Sequence, residues 1–382
     1  MDNNIGKSIG IYCLAHKKCE CTPLEVHINM WSIKQKKRSR KFYALDFGIM
    51  FDLNIKSIKI VLPFRIEDYS KQVRDLGESL ADNYNLLCSV FNESYKVEKN
   101  PGGLLNTIKN ENNENLFAVY KLNLNGSLKV ETDIVNSNYT ELTIDPQTSP
   151  EKFKQLGLKK IYVRFQIEMP SLEPFDTSMK VSNDFIQSAF TTSHLYDIRI
   201  NDTRAINQDV VESIKKTYSP ATFIKLHFFY MSEVTETVDN GSRLHLDTRM
   251  LEKKLWSPYF SRDNILEGHH LAYHWKKKEK DITFEKIQQG CFLSDSKYKT
   301  VEKPKPFTSF MLFFKTTALD VQRWRLFKYS CYVVLLGIIA SFFVTLCSAF
   351  LVSFTKLQVI GLSVMTAICC IVAALIISKC IG

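Results

Sequence analysis

The chain has 382 residues, 45% of them hydrophobic and 24% charged, with 50 Lys and Arg against 40 Asp and Glu. Its 14 Gly include no Gly-rich phosphate loop ending in Lys-Ser/Thr, no Gly-x-Gly-x-x-Gly and no Gly-x-Ser-x-Gly elbow, which excludes the common nucleotide cradles and hydrolase elbow; a kinase signature is also absent. The 10 Cys are too scattered for a disulfide framework, with Cys331, Cys347, Cys369, Cys370 and Cys380 lying in or beside an apolar tail.

Residues 1–12 carry one Lys, an early Asp and no apolar stretch of signal-peptide length, so no export signal is expected there. Alternating apolar and polar positions rich in Ile, Val, Phe and Tyr then predict strands over 25–33, 42–49, 57–63, 116–124, 128–134, 160–169, 196–200, 222–230 and 307–314. A long helix is predicted over 66–91, where Val73, Leu76, Leu80, Tyr84, Leu87 and Cys88 recur three and four apart. Shorter helices are expected at 149–156 and 209–216. Asn125-Gly126 falls between two alternating runs and reads as a hairpin turn. The Pro-Lys repeat at 303–306 reads as a stiff spacer, after which 307–314 either closes the sheet or lies on a membrane.

Strands that alternate and are mostly not separated by helices predict a mainly β (α+β) fold: a large cytosolic antiparallel sandwich or barrel over 1–300, with one long helix and a sub-boundary near 109–115. A juxtamembrane segment, 301–328, leads to a two-helix transmembrane hairpin over 329–382. The runs 330–354 and 357–378 each reach the roughly 20 apolar residues a span needs, and neither contains Asp, Glu, Lys or Arg. Lys303, Lys305, Lys315, Arg323, Arg325 and Lys328 precede the first run, against Lys356 in the turn and Lys379 at the end. This asymmetry predicts an inner-membrane protein with the large domain and both termini in the cytoplasm. Small residues at Gly337, Ser341 and Thr345, and at Ser363, Ala367 and Ala374, form stripes that let helices approach closely, within one hairpin or between copies in a homo-oligomer.

Three groups could carry chemistry. Lys34, Lys36, Lys37, Arg38, Arg40 and Lys41 lie between two predicted strands and make a basic hairpin tip suited to phosphate groups of a nucleotide, nucleic acid or lipid, with Lys276, Lys277 and Lys278 as a second wall. Cys13, His16, Cys19 and Cys21 are metal-ligand types close together, although Cys19-x-Cys21 is tighter than the usual zinc knuckle. His269, His270 and His274 form a third cluster. On a helix His270 and His274 would share a face, but the Glu of a metalloprotease motif is replaced by Leu271, so a half-buried strand is the preferred reading. No cofactor is expected.

The tail and its orientation resemble the two-helix membrane effectors of bacterial antiphage systems, in which a cytosolic sensing domain is coupled to a membrane-damaging hairpin. The resemblance implies a non-enzymatic antiviral-defence protein whose partners are the bilayer, further copies of itself, and a nucleotide, phosphate-bearing or protein ligand. An inert tether holding a cytosolic complex at the membrane explains the same residues. A membrane-bound metal-dependent hydrolase using the His or Cys group is the third reading.

Overall fold

The structure, a computed structural model, describes residues 7–16, 22–35, 40–100, 103–124, 126–132, 138–146, 155–176, 191–260, 268–286, 298–319 and 323–351, with positions 153 and 266. Its strands are β1 (Gly10–Ala15), β2 (Leu24–Gln35), β3 (Arg40–Asp52), β4 (Ile55–Leu62), β5 (Val73–Asp75), β6 (Lys96–Lys99), β7 (Leu105–Lys109), β8 (Asn115–Tyr120), β9 (Leu128–Thr132), β10 (Thr140–Ile144), β11 (Lys160–Met169), β12 (Thr191–Ile200), β13 (Ser219–Pro220), β14 (Phe223–Glu233), β15 (Glu236–Asn240), β16 (Leu246–Leu251), β17 (His270–Lys277), β18 (Glu279–Lys286), β19 (Tyr298–Lys305) and β20 (Phe310–Leu319). The helices are α1 (Tyr69–Gln72), α2 (Gly77–Asp82), α3 (Tyr84–Phe91), α4 (Gln208–Lys215), α5 (Lys253–Trp256) and α6 (Arg323–Leu351). The molecule is therefore β-rich, as the alternation predicts.

Two compact units divide the chain. The first comprises Met1–Thr177, Leu195–Val234 and Val238–Lys315, and the second Ser178–His194, Thr235–Thr237 and Thr316–Gly382. In the first unit a ten-stranded sheet runs in the order β16-β17-β14-β2-β3-β11-β8-β7-β6, with β5 also paired to β11. A five-stranded sheet, β13-β1-β4-β10-β9, covers one of its faces. Ile11, Ile58, Ile60, Leu142 and Ile144 of the smaller sheet share one core with Val26, Ile28, Phe47, Ile49, Val163 and Phe165 of the larger. The smaller sheet buries its other face against α4 through Tyr12, Val61, Val210, Val211 and Ile214. The far face of the larger sheet is capped by α2, α3 and α5, where Leu76, Leu80, Leu86, Leu87 and Trp256 pack on Trp31, Ile33, Phe42, Ala44 and Tyr162.

This is a sandwich, but its large sheet is mixed and not purely antiparallel: β14 pairs with β2 in parallel, as β11 does with β8. The predicted helix over 66–91 is broken. Val73 and Asp75 pair with β11, the Leu76 amide donates to the Arg164 carbonyl, and Asn83 caps α3 by accepting from the Leu86 amide. The three-and-four spacing is satisfied instead by the separate helices α2 and α3, which bury Leu80, Leu86 and Leu87. Nor is there a hairpin at Asn125-Gly126, because β8 belongs to the large sheet and β9 pairs with β10 in the small one. The helix expected at 209–216 forms as α4. Phe310, Leu312 and Phe314 are buried in the main core, so this stretch belongs to the sheet structure of the first unit and does not lie on a membrane.

In the second unit, Ser193 and Thr317 hydroxyls lie 3.2 Å apart and the Thr237 hydroxyl donates to the Thr317 carbonyl. Its helix α6 has 29 residues, and Ser330–Ser348 within it has a mean hydropathy of 2.3 with none of that stretch buried. It is long and apolar enough to cross a membrane. The second apolar run, 357–378, with Ser363, Ala367 and Ala374, lies outside the described residues.

Candidate functional site

Side chains on a strand alternate between faces, so the residues that do not enter the main core of the ten-stranded sheet all point to its capped face. On β2 these are Glu25, His27, Asn29 and Trp31; on β14 Lys225, His227 and Phe229; on β3 Asp46 and Gly48; on β11 Tyr162, Arg164 and Gln166. Strand register turns them into rows. His227 stands opposite His27, His27 opposite Gly48, and Gly48 opposite Arg164. The next row joins Asn29, Asp46 and Gln166.

Gly48 is what lets the first row close. A side chain there would collide with the Tyr162 hydroxyl and come within 3.0 Å of the Arg164 Nη1, so its absence leaves the space these two groups fill. Tyr162 Oη then accepts from Arg164 Nη1 at 2.8 Å and lies 3.4 Å from His27 Nδ1.

Asp46 and Arg164 anchor one side of this polar layer, both essentially inaccessible to solvent. Asp46 accepts from Trp31 Nε1 at 2.6 Å, from Tyr259 Oη at 2.7 Å, from Gln166 Nε2 at 2.7 Å and from Asn29 Nδ2 at 3.4 Å, while Arg164 Nη2 lies 3.9 Å away. Arg164 Nε also donates to Tyr259 Oη at 2.8 Å. Burial pushes the Asp46 carboxyl up, against the Arg164 charge and the hydrogen bonds from Trp31, Tyr259 and Gln166. Burial likewise opposes the Arg164 charge, but Tyr162, Tyr259 and Asp46 outweigh it, so the guanidinium stays a cation.

The other side contains the histidines. Glu25 Oε1 is 3.3 Å from His27 Nε2 and 2.8 Å from Lys225 Nζ. Burial alone would raise the Glu25 carboxyl, but hydrogen bonds to His27 and Lys225 hold it down to about 2. His227 Nδ1 is 2.8 Å from His274 Nε2, whose ring stacks on Phe229 at 4.2 Å. Burial lowers His27, lowers His227 to about 2 with the help of His27 and His274, and lowers His274 to about 4. All three imidazoles are therefore neutral at neutral pH. His227 Nε2 is buried and has no hydrogen-bond partner among the described residues. His27, Asn29, Arg164 and Arg249, with Phe229 and Trp256, line a small pocket of about 10 Å³, partly open to solvent and with room for about one water.

Of the residues singled out from sequence, His274 enters this layer and Lys276 stands exposed at its edge. His270 is buried on the same strand face and His269 is exposed, as the strand reading of that cluster requires. Lys34 and Arg40 flank the β2–β3 turn and Lys34 pairs with Lys41, so a hairpin forms there; Lys36, Lys37 and Arg38 lie outside the described residues. Lys276, Lys277 and Lys278 are not beside that tip. Lys276 stands level with His227, and hence with His27, so Lys34 is about 23 Å further along the sheet at roughly 3.3 Å per residue. Cys13 is buried in the main core and His16 is exposed, while Cys19 and Cys21 lie outside the described residues. Gly337 and Ser341 are exposed on α6, and the side chain of Thr345 is outside the described set.

Sequence reading passed over His27, His227, Glu25 and Gly48. Each is a lone residue within an apolar strand, and the available signal was the run Glu25-x-His27-x-Asn29 on one face of β2, matched by Lys225-x-His227 on β14. Compared with known proteins, the chain matches no family model and no curated protein.

Proposed function

We propose that this protein is a membrane-anchored binding protein: a cytosolic β-rich unit recognises an anionic or protein ligand, and the apolar tail holds it in the bilayer and, on oligomerising, perturbs the membrane in the manner of a defence effector. The observation that carries the reading is α6, whose Ser330–Ser348 stretch is apolar and exposed and follows Arg323, Arg325 and Lys328. Basic residues just ahead of a span favour the cytoplasmic side for the unit that precedes it. The β2–β3 hairpin bears the basic run whose charge would suit phosphate-sized anions, and the cytoplasmic leaflet is anionic as well.

The test is membrane potential in cells expressing the full chain or a version ending at Leu319, with and without phage challenge. The cut must follow β20, because Phe310, Leu312 and Phe314 belong to the core of the first unit and a shorter version would unfold it. Depolarisation that needs the tail and appears on challenge supports the effector. Membrane retention with unchanged potential shows a tether instead, and recovery of the full chain in the soluble fraction overturns both.

A further inference from the structure

We propose that Glu25, His27 and His227 bind one divalent first-row transition metal ion, for which zinc is the best match. One ligand atom from each residue lies within 4.8 Å of the other two. Metal–nitrogen and metal–oxygen bonds of about 2.0–2.2 Å would draw these atoms together by roughly an ångström, a shift open to side chains at the ends of their rotamers. Two imidazoles and one carboxylate with a remaining open position are the donor set of His₂Glu zinc sites, and of iron sites of the same composition.

The surroundings favour binding by the neutral rings. His227 can donate from Nδ1 to His274 Nε2, which leaves its Nε2 as a bare lone pair, and that atom is the one without a partner. His27 faces Tyr162 Oη with Nδ1 and Glu25 with Nε2, so Tyr162, itself held by Arg164, orients the ring from behind. Partners of this kind fix the tautomer and direction of metal-bound histidines. His27 also borders the small pocket lined by Arg164 and Arg249, which has room for about one water, so the open coordination position would take a water.

Lys225 is the built-in competitor. Its ammonium takes Glu25 Oε1 at 2.8 Å and repels a second cation. A metal must displace it, whereas a plain ion-pair network needs it.

This inference concerns the first unit alone and stands whether or not the tail perturbs a membrane. The test uses the full chain in detergent, purified without chelator, with zinc content measured and zinc binding titrated by calorimetry. About one zinc per chain is expected. Glu25→Gln and His227→Ala should each weaken binding by at least about 100-fold, more than the loss of an outer partner. Lys225→Gln should tighten it by about tenfold, the effect of one pKa unit of charge interaction, and an unfolded variant cannot give that gain. Cobalt(II) in place of zinc should show no thiolate charge-transfer band. Absence of binding, binding indifferent to all three variants, or a thiolate band lost in Cys19→Ser would each overturn the proposal.

Discussion

Two halves of one polar layer lie side by side on the capped face of the large sheet, and they differ in how completely their hydrogen bonds are met. Around Asp46, four donors and a guanidinium surround a carboxylate, and Tyr259 bridges anion and cation. Two residue positions away, His227 buries a ring nitrogen with no partner among the described residues. A closed network inside a protein fixes a fold, while an unmet buried group costs stability and persists where something else meets it. The Asp46 half is thus structural and the His27–His227 half is available for a ligand.

The largest break of that comparison is Asp46→Ala. It strands Arg164 as a buried charge and leaves Trp31, Gln166 and Tyr259 without their acceptor, so unfolding stability should fall by about 3–5 kcal/mol. A loss below about 1 kcal/mol on denaturant titration would show that the pair does not hold this face together. Next is Gly48→Ala. The obstacles are the ring of Tyr162 and the head of Arg164, both buried and pinned, so the cost should reach the upper part of the roughly 1–3 kcal/mol range for overpacking. Because the displaced hydroxyl faces His27, zinc affinity should fall with it, unlike in Asp46→Ala variants that still fold.

Period-two alternation made most of these strands legible, because which residues share a face follows from sequence spacing alone. What packs against the polar face does not. Glu25, His27 and Asn29 read as the wet side of β2, yet α2, α3 and α5 are brought over that sheet face by packing that spacing does not encode. The parallel pairing of β2 with β14 places His27 beside His227 across 200 residues of chain, and nothing local announces it. The dense cluster His269, His270 and His274 attracted attention by proximity in sequence, but His269 precedes β17 and is exposed, and His270, on the same face as His274, stands four residues away along the strand, leaving only His274 to join the site. The helix over 66–91 failed for a related reason. Its apolar spacing was real, but Asp75 and Asn83 offer the backbone local hydrogen bonds that end one element and cap the next.

Asp75 also gives a smaller test of opposite sign. It is half-buried where Asp46 is fully buried, is held by the backbone amides of Leu122 and Glu78, and has its carboxyl raised to about 6 by desolvation. A folded value above the unfolded one means that its favourable contribution is complete below about pH 4 and is lost as pH rises through 6. At pH 7 the ionised group is a liability. Asp75→Asn should therefore stabilise the protein by about 1–2 kcal/mol at pH 7, less than the full shift because one amide loses its acceptor. The gain should vanish by pH 4. A gain that is constant with pH would mean that burial of the charge is not its cause.

The smallest expected effect sharpens the comparison most. His227→Ala removes a ring that meets His27 edge-on, stacks beside Phe229 and bonds His274, and that loss is destabilising. It also removes a buried nitrogen whose hydrogen bond is not made, and an unmet buried polar atom costs about 1–3 kcal/mol. The two contributions oppose each other, so stability without added metal should change by about 1 kcal/mol or less, against several for Asp46→Ala. With zinc at 100 times its dissociation constant, the parent chain should gain about 2.7 kcal/mol that the variant lacks. A large loss for His227→Ala without zinc would make both halves of the layer structural, and the distinction between them would fall.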